Sequence, residues 1–327
     1  VINPQNIKIG FDERKGHTWY QTTTDSLKKE MIRRGYSVEV FSAFDKFNVK
    51  EFDVIVTNYM AKGKEDYKAP IVVYLPHGIG LWKSGTQTDI PTDFFIPGPI
   101  MGKWFQLEQP NKKYHIVGFP RIDSLLNKLK QREQIRNVFI QKLKLNPSKP
   151  IVAYVPTFNN NDGFNKRGTS TELNKIDPKS IPNFIISIHG LDLTRGYIRD
   201  LEKRFQYVYW EANKENLLVS ADVVVGDISS LLIESLVLNV PIIHLYRGDY
   251  AIFEMFDRAG EFGLLTLGEV CKAEQLAATI TQNLKVDKFA ALRAYWLPNL
   301  LVCPQEGALM RAANTLESLI KEKFDVK

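Results

Sequence analysis

Cysteine is almost missing from this chain: Cys271 and Cys303 are the only two, far apart and without a C-x-x-C spacing. That excludes a disulfide framework and a cysteine-based zinc site, and makes a reducing cytosol the default compartment. No run of about 18 apolar residues is present to form a membrane span. The start carries no apolar signal core either, although a chain that begins at Val1 gives that absence little weight. Internal repeats and low-complexity tracts are lacking. With 44% hydrophobic and 24% charged residues the composition excludes a disordered or collagen-like chain. A recognisable nucleic-acid reading motif, such as an RNP aromatic pair or a zinc finger, is also absent. The formal charge of +6 therefore points to anionic partners of another kind, phosphorylated substrates or acidic lipid surfaces, and not to nucleic acid.

What is present is alternation. A length of 327 residues suggests two domains, and strand-like runs alternate with helix-like ones, the pattern of parallel sheets covered by helices. Strands are predicted over 7–11, 38–41, 54–57, 71–75, 94–96 and 115–117, with a helix over 18–34 that ends near Gly35. A basic helix follows from Asp123 to about Leu145. The turn Asn146-Pro147-Ser148-Lys149-Pro150 has linker composition, and a second series begins at Ile151, with strands over 151–155, 184–188, 207–210, 223–226 and 242–245. The polar, glycine-containing stretch 158–168 reads as a mobile loop above the first strand of that series.

The most informative segment is Ala221 to Leu245, which reads as strand, polar turn, helix and buried strand. Its turn is Gly226-Asp227-Ile228-Ser229-Ser230. Glycine lets the backbone approach a ligand closely, and serine at a helix start presents N–H groups and a hydroxyl suited to an anion. Ligands of open α/β sheets sit beyond the carboxyl ends of the strands. Polar groups gather at just such places: His77, with Gly78, Gly80 and Lys83; Gly118-Phe119-Pro120-Arg121, with Asp123; Thr157; and His189-Gly190. Each has a bland alternative, with Ser229, Ser230 and Thr157 as caps, Arg121 in a salt bridge and His77 as a hydrogen-bonded structural residue. Their coincidence at successive strand ends argues against turn chemistry alone. His115 and His244 fall inside strands, and only His17, in a loop, could reach a cleft.

The order PHG-x-x-x-x-K-x-G at 76–85, GFPRID at 118–123, YVPTF at 154–158, ISIHG at 186–190 and ENLLVSADVVVGDISSLLIESLVLNVPIIHLYRGDY at 215–250 resembles the CDP-glycerol glycerophosphotransferase family, the polyol-phosphate transferases of teichoic acid and capsule synthesis. The resemblance implies a GT-B fold, two Rossmann-like α/β domains with a cleft between them. On that reading residues 1–147 form an acceptor-side domain and 148–304 a nucleotide-donor domain. Residues 305–327, with a helix over 306–323, are expected to cross back to the first domain. By the same resemblance His77 is the general base that deprotonates an acceptor hydroxyl. His189, Ser229 and Ser230 hold the donor pyrophosphate, with Arg121, Thr157, Gly226, Asp227 and Glu234 as further donor-side candidates. Asp227 and Glu234 could instead meet a metal or the ribose, but no metal-ligand spacing is present and no metal or cofactor is expected. Three departures from the family pattern, Gly190 after His189, Ile228 before Ser229 and Leu75-Pro76 before His77, leave the donor open between CDP-glycerol, CDP-ribitol, another CDP-polyol and a nucleotide sugar.

The implied partners are a CDP-polyol or nucleotide-sugar donor and a glycan or lipid-linked acceptor, in the cytoplasm or at the inner face of the cell membrane. For peripheral membrane contact the candidates are Lys128, Lys130, Arg132, Arg136, Lys142 and Lys144, on a helix whose Leu125, Leu129, Val138, Phe139 and Leu143 form an apolar stripe. Burial of the stripe with a solvated charged face is the plainer reading. Alternatives are an inverting glycosyltransferase using a nucleotide sugar, a nucleotide-sugar epimerase of the same fold, and a non-catalytic nucleotide-binding scaffold.

Overall fold

Runs such as Val54-Ile55-Val56-Thr57 and Val223-Val224-Val225-Gly226 have no polar face, so both sides of the sheet they join must be covered. The computed structural model bears this out with two six-stranded sheets in which every neighbouring pair is parallel. It describes residues 2–13, 18–42, 51–58, 67, 69–79, 90–157, 170–189, 198–209, 211, 214–227, 229–246, 267–302 and 307–325. His17, Gly80, Lys83, the loop 158–168, Gly190, Ile228 and Cys303 lie outside these.

The described residues divide into two units, Val1–Ser124 with Pro298–Lys327, and Leu125–Leu297. In the first, β1 (Lys8–Asp12), α1 (Thr18–Arg33), β2 (Ser37–Phe41), β3 (Val54–Thr57), β4 (Ile71–Tyr74), β5 (Asp93–Ile96), α2 (Pro99–Glu108) and β6 (Lys113–Ile116) follow in chain order. The sheet order is β2-β1-β3-β4-β5-β6, so the chain reverses direction between β1 and β3. Then come α3 (Pro120–Leu129) and α4 (Arg132–Leu143). The second sheet has the order β12-β11-β10-β7-β8-β9 and reverses between β7 (Val152–Tyr154) and β10 (Val223–Gly226). Its other members are β8 (Phe184–Ser187), α5 (Ile198–Arg204), β9 (Tyr207–Tyr209), α6 (Glu215–Ser220), α7 (Ser230–Glu234), β11 (Ile242–Leu245), β12 (Glu269–Cys271) and α8 (Leu276–Lys285). The helices α9 (Ala290–Leu300) and α10 (Ala308–Phe324) close the chain.

Three sequence expectations change. The basic helix of 123–145 is two helices, α3 and α4, and α4 packs on α6. The carbonyls that end α6, Ser220 O and Ala221 O, accept from Arg136 Nη1 at 2.5 Å and Arg132 Nη2 at 2.8 Å. Guanidinium groups there complete the open end of α6 and meet its negative pole. These contacts, with Phe139 against Tyr209, tie α4 to the second unit and set the junction near 124–125 where the sequence placed it at 147–148. Second, the helix after β10 keeps α geometry only over Ser230–Glu234. It tightens to a 3₁₀ turn over Ser235–Leu238, ended by Asn239 in the left-handed region at φ 51°. Third, the short edge strand β12 was not anticipated.

The core of the first unit packs Leu27 and Met31 of α1 and Ala312, Ala313, Leu316 and Ile320 of α10 on Ile9, Phe11, Val54, Val56 and Val73 of the sheet. At about 1.5–3 kcal/mol per large apolar side chain, the α10 face is a substantial part of what holds this unit together. A polar seam reinforces it: Arg34 reaches Glu317 Oε2 at 2.6 Å and Asn314 Oδ1 at 2.7 Å. In the second unit Val152, Tyr154, Ile186, Val223, Val225 and Ile243 meet Leu173, Leu201, Leu276 and Ile280.

Candidate active site

In the first unit His77 lies just past β4. The ladder between β3 and β4 extends one residue beyond the strand, with Leu75 N–H donating to Thr57 O at 2.8 Å, so the segments after these two strands leave the sheet side by side. His77 Nδ1 is 2.9 Å from the backbone oxygen of buried Asn58, the first residue after β3. A carbonyl only accepts, so Nδ1 carries the proton and the lone pair of the neutral ring sits on Nε2. The ring is half-buried.

Sequence reasoning missed the acids at the reversal point of this sheet. Asp12 ends β1, Glu13 follows it, and both are buried. The hydroxyl of Tyr67 donates to Asp12, and Thr57 Oγ1 lies 3.4 Å from the same carboxylate. Burial, with the Asp12 charge beside it, pushes the Tyr67 phenol up. Glu13 Oε1 accepts from Thr24 Oγ1 at 2.5 Å and Lys28 Nζ at 2.6 Å. Against burial, which works the other way, hydrogen bonds to Asp25 and Glu13 hold the Lys28 ammonium above its ordinary range. The signal is the Asp12-Glu13 pair at the carboxyl end of an apolar strand.

The GFPRID segment proves to have an architectural half. Gly118 adopts φ +85°, and a Cβ there would come within 2.8 Å of Arg311 Nη2 and 3.0 Å of Ala308 Cβ. Arg311 Nε donates to Val117 O at 2.9 Å. The Asp123 carboxylate accepts from the N–H groups of Ala308 at 3.2 Å and Leu309 at 2.8 Å, capping α10, whose own N-cap residue Gly307 has no side chain to do so. Arg121, in the first turn of α3, is only 8% exposed.

In the second unit Thr157, Gly226, Asp227 and Ser229 come together at the adjacent ends of β7 and β10, where that sheet reverses. A Cβ on Gly226 would lie 3.0 Å from Val155 O and 3.1 Å from Leu232 Cδ2, so the strand ends approach closely and leave little room for a side chain. Asp227 accepts Thr157 N–H at 2.8 Å and Thr157 O–H at 2.7 Å on the same oxygen. Both protons of Thr157 are therefore engaged by Asp227. Ser229 Oγ accepts from Leu231 N–H at 3.4 Å as the N-cap of α7, an arrangement that leaves the hydroxyl proton for another acceptor. Ser230 opens α7 half-buried, and Glu234 closes it at 2% exposure. His189 follows β8, the next strand beyond β7, and is half-buried. His77 and Arg121 belong to the first unit.

The two histidines placed inside strands behave as structural residues. His115 Nε2 lies 2.8 Å from Asp93 Oδ1, and buried His244 bonds through Nδ1 to Asp227 O at 3.1 Å. The basic face proposed for a membrane is largely engaged within the second unit: Lys128 pairs with Glu215 at 2.9 Å, Arg136 with Asp222 at 2.8 Å, and Lys142 with Glu211. Leu125 and Phe139 of the stripe are buried, whereas Val138 is exposed. No helix among the described residues is long and apolar enough to cross a membrane.

Residues 95–262, just over half of the chain, match the family model of CDP-Glycerol:Poly(glycerophosphate) glycerophosphotransferase. Among solved structures the chain is similar to the wall teichoic acid polymerase TagF, at 16% identity and TM-score 0.68, covering 98% of this chain and 90% of that one. A TagF variant soaked with CDPG gives 14% identity and TM-score 0.68 over the same shares. UDP-GlcNAc 2-epimerase from Neisseria meningitidis bound to UDP-GlcNAc matches at 12% identity and TM-score 0.54, covering 96% of this chain and 99% of that one. These likenesses show two parallel α/β domains of the GT-B type. No curated protein sequence matches.

Proposed function

This chain belongs to the CDP-glycerol:poly(glycerophosphate) glycerophosphotransferase family, and from that we propose that it transfers a polyol phosphate, glycerol phosphate or a close relative, from a CDP-activated donor to a hydroxyl of a cell-envelope or capsule glycan or glycolipid. His77 Nε2 takes the proton of the acceptor hydroxyl as that oxygen attacks the phosphorus next to the polyol. The bond from that phosphorus to the bridging oxygen breaks, and CMP leaves with the electron pair. The new link is a phosphodiester.

The observation that carries this reading is the bond from His77 Nδ1 to Asn58 O, which in the neutral ring leaves the lone pair on Nε2. On the donor side His189, the Ser229 and Ser230 hydroxyls and the backbone beside Gly226 meet the pyrophosphate. In phosphoryl transfer the protein mainly positions the reactants and spreads the donor charge. Arg121 and Glu234 are secondary donor-side candidates. We assign the acceptor to the first unit and the nucleotide to the second, with the reaction on the cytoplasmic side of the membrane. The CDPG-soaked polymerase of the same fold supports the choice of donor.

The test is titration calorimetry of the full chain against CDP-glycerol, CDP-ribitol, CDP, UDP and UDP-N-acetylglucosamine, alone and with Ser229→Ala/Ser230→Ala. Selective cytidine binding, weakened by the double substitution, is expected. His77→Ala should lower turnover by about 10²–10⁴-fold while donor affinity holds. Selective uridine binding would move the assignment to a nucleotide-sugar enzyme.

A further inference from the structure

Asp227 stands at the end of β10 and is tied to the strand on either side of it. Toward β7 its carboxylate accepts Thr157 O–H at 2.7 Å and Thr157 N–H at 2.8 Å on Oδ1, with Oδ2 3.1 Å from the same nitrogen. Toward β11 its backbone oxygen accepts from His244 Nδ1 at 3.1 Å. In the sheet these are successive strands, β11-β10-β7, and the Asp227 residue is 2% exposed. A carboxylate so placed would repel a phosphate, and its principal partner has donated both its protons to it.

We propose that Asp227 is a positioning residue and not a ligand of the donor. Through Thr157 and His244 it fixes where the chain leaves β10, and so where the Ser229 and Ser230 hydroxyls stand two and three residues later. This rests on the donor reading given above. The buried carboxylate serves because one of its oxygens accepts an N–H and an O–H together on a short stem, with charge to strengthen both, while its own main-chain carbonyl meets the next strand.

The experiment is a double-mutant cycle on donor affinity in the full chain, with Thr157→Val, Asp227→Ala and the pair titrated against CDP-glycerol and a melting curve taken for each. Removing one hydrogen bond to a buried charged group should weaken donor binding by about 10-fold or more. The pair should lose no more than the worse single variant, because both break one contact. Thr157→Ser, which keeps the hydroxyl, should recover the affinity that Thr157→Val loses. If Asp227→Ala does not fold, the Val and Ser variants at 157 decide. Additive losses would mean that Asp227 touches the donor on its own account. Folded variants with lowered melting temperature but unchanged donor affinity would make the contact purely structural. Either result overturns the proposal while the donor reading stands. A wild-type chain that binds no CDP-glycerol removes the donor reading itself, and this role with it.

Discussion

Asp123→Ala should destabilise the first unit by about 1–3 kcal/mol, although the residue sits in a segment that sequence alone assigned to the donor. Its carboxylate receives the Ala308 and Leu309 N–H groups, two of the donors that a helix start leaves without intrahelical partners. Losing a cap costs about 0.5–2 kcal/mol, and losing a negative charge at the positive end of a 17-residue helix adds roughly 0.3–1 kcal/mol. For a unit of this size a loss of 2 kcal/mol lowers the melting temperature by roughly 4–8 °C. Asp123→Asn separates the two terms: it keeps an acceptor and should lose only the smaller, electrostatic part. The assay is thermal and urea unfolding of the full chain, with each unit followed as its own transition, because two units need not melt together. An Ala variant as stable as wild type would show that the cap contributes nothing. Equal losses for Ala and Asn would show that charge, not the hydrogen bonds, carries the effect.

Other outcomes follow from the same contacts. Leu316→Ala, at a fully buried position of α10 against the first sheet, should cost about 2–5 kcal/mol by equilibrium unfolding. Arg136→Ala leaves the Ser220 carbonyl and Asp222 without that partner and should destabilise the second unit by about 1–3 kcal/mol; a vesicle-binding defect in such a variant that disappears when folded protein is compared would assign the residue to the α4–α6 seam. Hydrogen bonds from Arg33 and, beyond the opposing cost of burial, Arg34 hold the Glu30 carboxyl down at about 2. A depressed carboxyl stabilises the fold above its unfolded value of 4.5 and loses that contribution as pH falls toward 2. The shift bounds the effect at about 3 kcal/mol, and the exposure of Arg33 reduces it to roughly half. The stability gap between wild type and Glu30→Gln should therefore narrow from pH 7 to pH 3 in urea titrations, and a constant gap would refute the linkage.

Much of the architecture was legible locally. Buried parallel strands are apolar on both faces, so Val54–Thr57, Val223–Gly226 and Ile242–Leu245 could be bounded to the residue. The edge strand β12 could not, because Glu269-Val270-Cys271 is only three residues long and half-exposed. The break between α3 and α4 was hidden too: nothing in Lys130-Gln131 forbids a helix, and the chain turns there so that Arg132 and Arg136 meet the end of α6.

Function divides along the same line. Residue type and order alone determined the family, the two α/β domains and the choice of His77 and Ser229, because strand ends, turns and motif spacing are written in neighbouring positions. Only the tertiary structure decided what those residues do to one another. The tautomer of His77 depends on a carbonyl 19 positions away, the Thr157 hydroxyl is turned to a carboxylate 70 positions away, and Asp123 caps a helix 185 positions away. A hydrogen bond needs its partner within about 3 Å and in line, and the distance along the chain says nothing about either.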